Sequence, residues 1–331
     1  FTQQGTTDYL DRDGTQQFRH GCHYHTLGWL FALSGLICWA GISQVIANTV
    51  TSAFKNAFAV PPAITAGVMV ILCGFIVLRK NATVKALSKV VPLAACSYLL
   101  VTIVIFALNI TQVPEILYKI FTQAFGLKQV VGGGLGVVVM NGIKRGLFSN
   151  EAGSGSAPCA AAAADVAHPV SQGLIQALGV FIDTLLICSC SAFVMLLAPE
   201  KVTNGLAGME ILQAAMNYHL GAFGGVFVAV IIFLLSFSNV VGILFYARSN
   251  IAYLFGDVWY AQTGYKLFAL VMIFVGGIAA YEIVWELGDL GVALMTVFNM
   301  MAILPLSSQA LHALKDYEQR YMKKSVAFNN S

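Results

Sequence analysis

The chain has 331 residues, of which 58% are hydrophobic and 10% charged, with a net charge of +3 and a mean hydropathy of +0.78. A soluble domain covers its surface with about 25% charged residues, so this composition excludes a water-soluble globule and leaves the bilayer as solvent. The small positive balance gives no sign of nucleic-acid binding. The seven cysteines mostly lie in apolar segments (Cys38, Cys73, Cys96, Cys188, Cys190), where they read as small core residues and not as a disulfide framework.

The chain opens at Phe1, and Phe1 to Gln17 is polar with no apolar signal-peptide core, which reads as a fragment or a processed chain. Residues 1–27 are taken as a cytoplasmic segment, 28–311 as the transmembrane domain and 312–331 as a cytoplasmic tail. The first segment carries His20-Gly-Cys-His-Tyr-His25. Its histidines and cysteine are zinc-ligand types, but the spacing is tighter than the paired ligands of a tetrahedral site, and a diverged sequence is the plainer reading.

Runs long enough to cross a membrane follow at Gly28–Val50, Pro61–Leu78, Val91–Leu108, Val130–Met140 continuing into a broken stretch, Ser171–Leu197, Ala222–Ala247, Tyr265–Ile283 and Leu290–Leu306. These make about eight spans. Each is apolar all round, and none alternates with period two, which excludes an outer-membrane barrel. Tyr118–Phe125 and Met209–His219 read as short surface helices. Arg12, Arg19, the group Arg79, Lys80, Lys85 and Lys89, then Arg248, and then Lys315, Arg320, Lys323 and Lys324 all fall on one side of this topology. By the positive-inside rule that side is cytoplasmic.

The stretch from Gly132 to Gln172 departs from the pattern. It places Lys144, Arg145, Ser149, Asn150 and Glu151 among Gly146, Gly153 and Gly155, then returns to an alanine-rich helix, Ala157–Val166. Each glycine costs a helix roughly 1 kcal/mol, and each ionisable group at membrane depth costs at least about 2.5 kcal/mol. A helix interrupted there exposes N–H groups suited to a carboxylate and carbonyls suited to a cation. A loop between two ordinary helices is the simpler alternative.

Gly146-Leu-Phe-Ser-Asn-Glu-Ala-Gly-Ser-Gly-Ser-Ala-Pro158, followed by Ala160–Ala164, His168-Pro169, Gln172-Gly173 and Phe181-Ile-Asp-Thr184, resembles the signature of the alanine or glycine:cation symporter family. The resemblance runs from about Asp11 onward, through Phe233–Asn250 and on to Trp285, Asp289, Met295 and Asn299. It implies an all-α integral membrane fold, a LeuT-like bundle of two inverted repeats, with core helices three to ten present and core helix one missing. It also implies a multi-pass protein of the bacterial inner (plasma) membrane, working as a monomer, that is not an enzyme. The implied cargo is a small neutral amino acid, alanine or glycine, carried with Na+ as coupling ion and no other cofactor.

By the same resemblance, Phe148, Ser149, Asn150 and Gly153 line the amino-acid pocket, together with Asn48, Asn239 and Ile243. Relatives carry Trp where this chain has Ile243, and Gln where it has Ile46; Gln44 lies about 200° round the helix from Ile46. Glu151 bonds free backbone N–H groups, or neutralises Lys144 or Arg145. Asp183 and Thr184 sit mid-span and serve either cation coupling or an internal hydrogen bond. Ser236 and Ser238 complete a sodium site or bond back to their own helix. Rival readings are proton coupling, a diverged remnant that does not transport, an ion channel, for which no repeated filter is visible, and a membrane enzyme, for which no paired histidines or Ser–His constellation is visible.

Overall fold

The computed structural model describes residues 21–78, 82–125, 134–162 and 164–322, and all regular structure in them is helical. The side chains of the His20–His25 stretch and of Lys85, and the residues Arg12, Arg19, Arg79, Lys80, Lys323 and Lys324, lie outside the described part. The elements are α1 (Gly21–Phe58), α2 (Pro62–Leu78), α3 (Ala82–Leu108), α4 (Val113–Phe125), α5 (Gly134–Asn150), α6 (Ser156–Ala161), α7 (Pro169–Leu196, with a π-helical turn at Ile182–Ile187), α8 (Met209–Leu220), α9 (Ala222–Phe255), α10 (Trp259–Ile278) and α11 (Tyr281–Tyr317).

Six of these are long and apolar enough to cross a membrane: α1, α3, α7, α9, α10 and α11. The expected count of about eight differs for two reasons. Helix α2 has 17 residues, and the remaining span is divided between α5 and α6.

Helix α1 is the centre of the bundle. Trp39, Ala47, Val50 and Ala53 are fully buried on it, and α9, α10 and α11 pack around it. Close approach depends on missing side chains. A Cβ on Gly276 of α10 would lie 2.3 Å from the Gln44 Cα, and one on Gly291 of α11 would lie 2.6 Å from the Cys38 Cα. Apolar surface gives helices no preference for each other over lipid, so contacts of this kind hold a membrane bundle together. Helix α11 runs antiparallel to α1, since Gly288 meets Val45 and Gly155, held at Asn299, meets Phe31.

The sequence pattern sets the last two spans at Tyr265–Ile283 and Leu290–Leu306, but the turn between them falls earlier, at Ala279 and Ala280. Glu282, Glu286 and Asp289 suggest a loop, yet the two glutamates project outward from the first turns of α11 and Asp289 turns inward. The true turn is held from α1. The Asn48 amide donates to Gly276 O at 3.1 Å and Ala279 O at 3.0 Å, and the Thr51 hydroxyl donates to Gly277 O at 2.9 Å. The sixth span likewise extends past Ala247 to Phe255, where Gly256, at φ +79°, stops it.

The C-terminal end of α1 shares one end of the bundle with α8. Gln213 is buried on α8, donates to Ala53 O and Gly225 O, and accepts from Asn56. Lys119 of α4 pairs with Glu200, just ahead of α8. The opposite end carries the N-terminal half of α1 beside Tyr253, and the Arg248–Asp257 pair.

Removing the Asn48 amide strands carbonyls of the α10–α11 turn. Asn48→Ala is expected to cost about 1–3 kcal/mol, seen as a lower thermal unfolding midpoint of the detergent-purified protein.

Candidate functional site

Helix α5 continues through Gly146 to Asn150, so the break lies later than the glycines suggest, at Glu151–Gly155. The second half is also shorter than the expected Ala157–Val166, because α6 spans Ser156–Ala161. Three residues of the break take left-handed backbone: Glu151 (φ +51°), Gly153 (φ +80°) and Gly155 (φ +98°). For Glu151 this conformation costs about 1–2 kcal/mol. Gly155 has a second reason to be glycine, since a Cβ there would lie 2.5 Å from the Phe31 ring and 3.0 Å from Asn299.

The polar groups released by the break find nearby partners. Ala152 N donates to Asn150 Oδ1 at 2.9 Å, the Ser154 N–H and hydroxyl both donate to Glu151 O, and Asn299 on α11 donates to Gly153 O at 2.8 Å. The Glu151 carboxylate lies beside Ser156. It does not neutralise Arg145, whose partner is Asp289 on α11 at 2.6 Å. Arg145 also lies over the Trp285 ring at 4.8 Å, and Trp285 packs on Phe148 with ring centroids 5.0 Å apart.

A cavity of about 520 Å³ opens where the end of α5 meets α1 and α9. Phe148 and Ser149 contribute from the end of α5, Glu151 from the break, Ser236, Ser238, Asn239 and Ile243 from α9, and Ile46 and Thr49 from α1. Its walls are largely apolar with a few converging polar groups, the usual make-up of a small-molecule site. The Thr49 and Ser236 hydroxyls bond back to Val45 O and Phe233 O. Among the described residues, the Ser238 and Asn239 side chains make no hydrogen bond, so their polar groups are available to a ligand.

Asp183 and Thr184 lie on the π-helical turn of α7, against the break. The Ser149 hydroxyl donates to Asp183 Oδ2 at 2.8 Å and lies 3.1 Å from Cys188 Sγ, and the Asn150 amide donates to Thr184 Oγ1 at 2.9 Å. π turns inside α-helices occur frequently at functional sites. Asp183, Thr184, Ser149 and Asn150 are therefore brought together, with Ser149 shared between this pair of bonds and the cavity.

Asn48 is not among the cavity residues. Its side chain faces α10, on the other side of α1 from Ile46 and Thr49. Gln44 also faces α10, with its amide 3.1 Å from Met272 Sδ. Gly153 serves the break through its carbonyl and its backbone conformation. The contribution of α1 (Ile42, Val45, Thr49) and of Tyr246 is absent from the sequence reading, because nothing but their helical phase marks them. Among the described residues no group of histidine, cysteine and acidic side chains is arranged to hold a metal ion.

A helical bundle with an interrupted helix against a polar-edged central cavity is the architecture of a membrane transporter. The sodium:alanine symporter family model matches residues 12–330, and the chain belongs to that family. It is 38% identical over 322 residues to the amino-acid carrier protein AlsT of Bacillus subtilis, covering 94% of this chain and 68% of that protein. It is 38% identical to the probable sodium/glutamine symporter GlnT of the same organism, covering 91% of this chain and 63% of that protein. It is 33% identical to the sodium/alanine symporter AgcS of Methanococcus maripaludis, covering 92% and 67% respectively. The chain thus spans about two-thirds of the length of these relatives. It is a transporter and not an enzyme, and a multi-pass protein of the inner (plasma) membrane.

The position of the break is open to a direct test. Gly155→Ala combines left-handed strain with the Phe31 contact and is expected to cost about 2–4 kcal/mol. Gly146→Ala, inside a helix with no atom within 4 Å of the new methyl, is expected to stabilise by up to about 1 kcal/mol. Thermal unfolding of the two variants side by side checks the pair.

Proposed function

We propose that the protein carries a small neutral amino acid, alanine or glycine, into the cell together with Na+ by alternating access. The observation that carries this reading is the cavity at the helix break, where the unpartnered polar groups of Ser238 and Asn239 meet Phe148 and Ser149. In this reading the bundle is LeuT-like: α1, α2 and α3 are core helices three to five, α5 with α6 the sixth, α7 the seventh, and α9 to α11 the eighth to tenth. The end bearing Arg248 and the C-terminus of α11 faces the cytoplasm, with 1–27 and 312–331 on that side, and the protein works as a monomer in the bilayer.

The amino acid lies against Phe148, Asn239 and Ile243, with Asn150 and Gly153 holding the break in shape. Na+ is held by the Ser149 hydroxyl and the Asp183 carboxylate, already 2.8 Å apart, with Thr184 steadying Asn150. Ser238 serves a second cation from α9 in this reading, with Ser236 beside it although its hydroxyl donates back to Phe233 O. One elementary charge moving through 100 mV supplies about 2.3 kcal/mol, enough for roughly fifty-fold accumulation before any chemical gradient is counted.

The test is uptake of labelled alanine into proteoliposomes holding the full-length protein, with and without an inward sodium gradient. Sodium-dependent accumulation is expected, lost in Asn150→Ala. Asp183→Asn, which removes a charge from the cation site, is expected to raise the sodium concentration for half-maximal uptake by at least about tenfold. Uptake that ignores sodium and follows a proton gradient would replace the coupling ion. The relative from Bacillus sp. strain PS3 is named a sodium/proton-dependent alanine carrier protein.

A second reading, transport of a larger neutral amino acid such as glutamine, is favoured by the cavity volume and by Ile243, where the family resemblance expects Trp. Ile243→Trp fills the cavity from α9. It is expected to reduce glutamine uptake by at least about tenfold more than alanine uptake, the discrimination typical of a pocket that loses room for a few methylenes.

A further inference from the structure

Helix α11 fastens the broken helix at three levels. Asp289 takes Arg145 on α5, Asn299 takes Gly153 O inside the break, and Asp316 takes His168 beyond α6. At 1.5 Å per residue these levels are about 15 Å and about 25 Å apart along α11. The first two bear on the cavity. The third is far from it, and joins a buried ring, His168 at 2% exposed, to the partly exposed Asp316.

His168 is the N-cap of α7, with extended backbone (φ −149°, ψ 133°) and Pro169 next to it in the first turn. Its Nδ1 accepts from Val170 N at 3.2 Å, which places the imidazole hydrogen on Nε2, directed to Asp316 Oδ2 at 3.3 Å. The other Asp316 oxygen accepts from Arg320 Nε at 2.8 Å. The ring is walled by Tyr317 at 5.1 Å and Tyr321 at 5.9 Å, and a π-helical turn at Glu318–Met322 carries Tyr321 into place. A cap alone needs none of this, because asparagine or serine caps a helix as well. What histidine adds is the reach of Nε2 to a second helix.

We propose that the His168–Asp316 contact is a latch on the cytoplasmic side. It fastens the end of α11 to the chain between α6 and α7 while the cavity is closed on that side, and it opens when the cavity empties into the cell. His168 is a positioning residue in this device and touches no cargo. The latch takes its purpose from the transport reading above, but its opening can be read without transport.

Cys159 on α6 is the natural reporter. It is half-buried against the cluster of Phe31, Trp39 and Ile243, with its thiol on Gly155 O at 3.4 Å, and movement of α6 away from that cluster uncovers it. The measurement is the rate at which a membrane-impermeant maleimide, added from the cytoplasmic face of vesicles holding the full-length protein, alkylates Cys159, followed by peptide mass. His168→Asn keeps a cap for Val170 N but is too short to reach Asp316, and Asp316→Ala removes the acceptor from the other helix. Each is expected to speed labelling about five- to tenfold, the equilibrium shift of one lost hydrogen bond, and the double variant no further. Unchanged rates in both single variants, or additive effects in the double, would overturn the latch. Faster labelling in a protein that takes up no amino acid would support the latch and remove the transport reading. Sodium-driven uptake with unchanged labelling would do the reverse.

Discussion

A backbone that stops being helical at membrane depth has no water to take over its N–H and C=O groups, and each one left bare costs several kcal/mol. The segment Glu151–Gly155 is arranged to meet that constraint. Its own side chains satisfy part of it, through Asn150 on Ala152 N and Ser154 on Glu151 O. Asn299, on α11, covers Gly153 O. With those bonds made, Phe148 and Ser149 are left at the rim of the cavity while Asn150 turns away toward Thr184. The break thus fixes which groups face a ligand and which are used in structure.

Asn299 can reach the break only because α11 lies close to α1. Gly288 and Gly291 allow that approach, as Gly276 and Gly277 do for α10. Contact through glycine trades side-chain burial for dispersion between backbones, which suits a bilayer, where apolar side chains are as well solvated by lipid as by each other. Volume withheld from side chains at one level is also what leaves space at another. Gly242 and Ile243 face the cavity where a bulky residue on α9 would close it. Packing and site are two results of the same placement of small residues.

The break was legible in the sequence because an apolar span rarely tolerates glycine, serine and ionisable groups together unless its helix is interrupted for a purpose. Its position to the residue was not. Gly146 is a glycine like the others on paper, and helical hydrogen bonding around it outweighs its propensity, so the chain stays helical until strain at Glu151 and crowding at Gly155 settle the matter. The pairing of Asp183 and Thr184 with the break was within reach as one of two readings, since polar groups in a span must find partners. Resemblance assigns Asn48 to the pocket, yet its amide serves the carbonyls of a turn some 230 positions along the chain. Helical phase separates the two faces of α1, but which face meets which neighbour is a tertiary fact. The same holds for Arg145, whose nearest acid in sequence is Glu151 and whose partner in space is Asp289.

That ion pair makes a poor stabiliser. Taking the Asp289 carboxylate largely out of water costs about as much as its attraction to a half-exposed Arg145 returns, and among the described residues Asp289 Oδ1 and Trp285 Nε1 are buried without hydrogen-bond partners. Arg145, about half exposed, has alternative company in the Trp285 and Phe148 rings, so it stays favourably placed whether or not Asp289 is engaged. A contact with a small net free energy and a second partner waiting is easily made and easily broken. It joins α5 to α11 at the level of Phe148, a ring that lines the cavity. A tight apolar contact at that point would be more stable and would hold the two helices in one arrangement. The ion pair permits two.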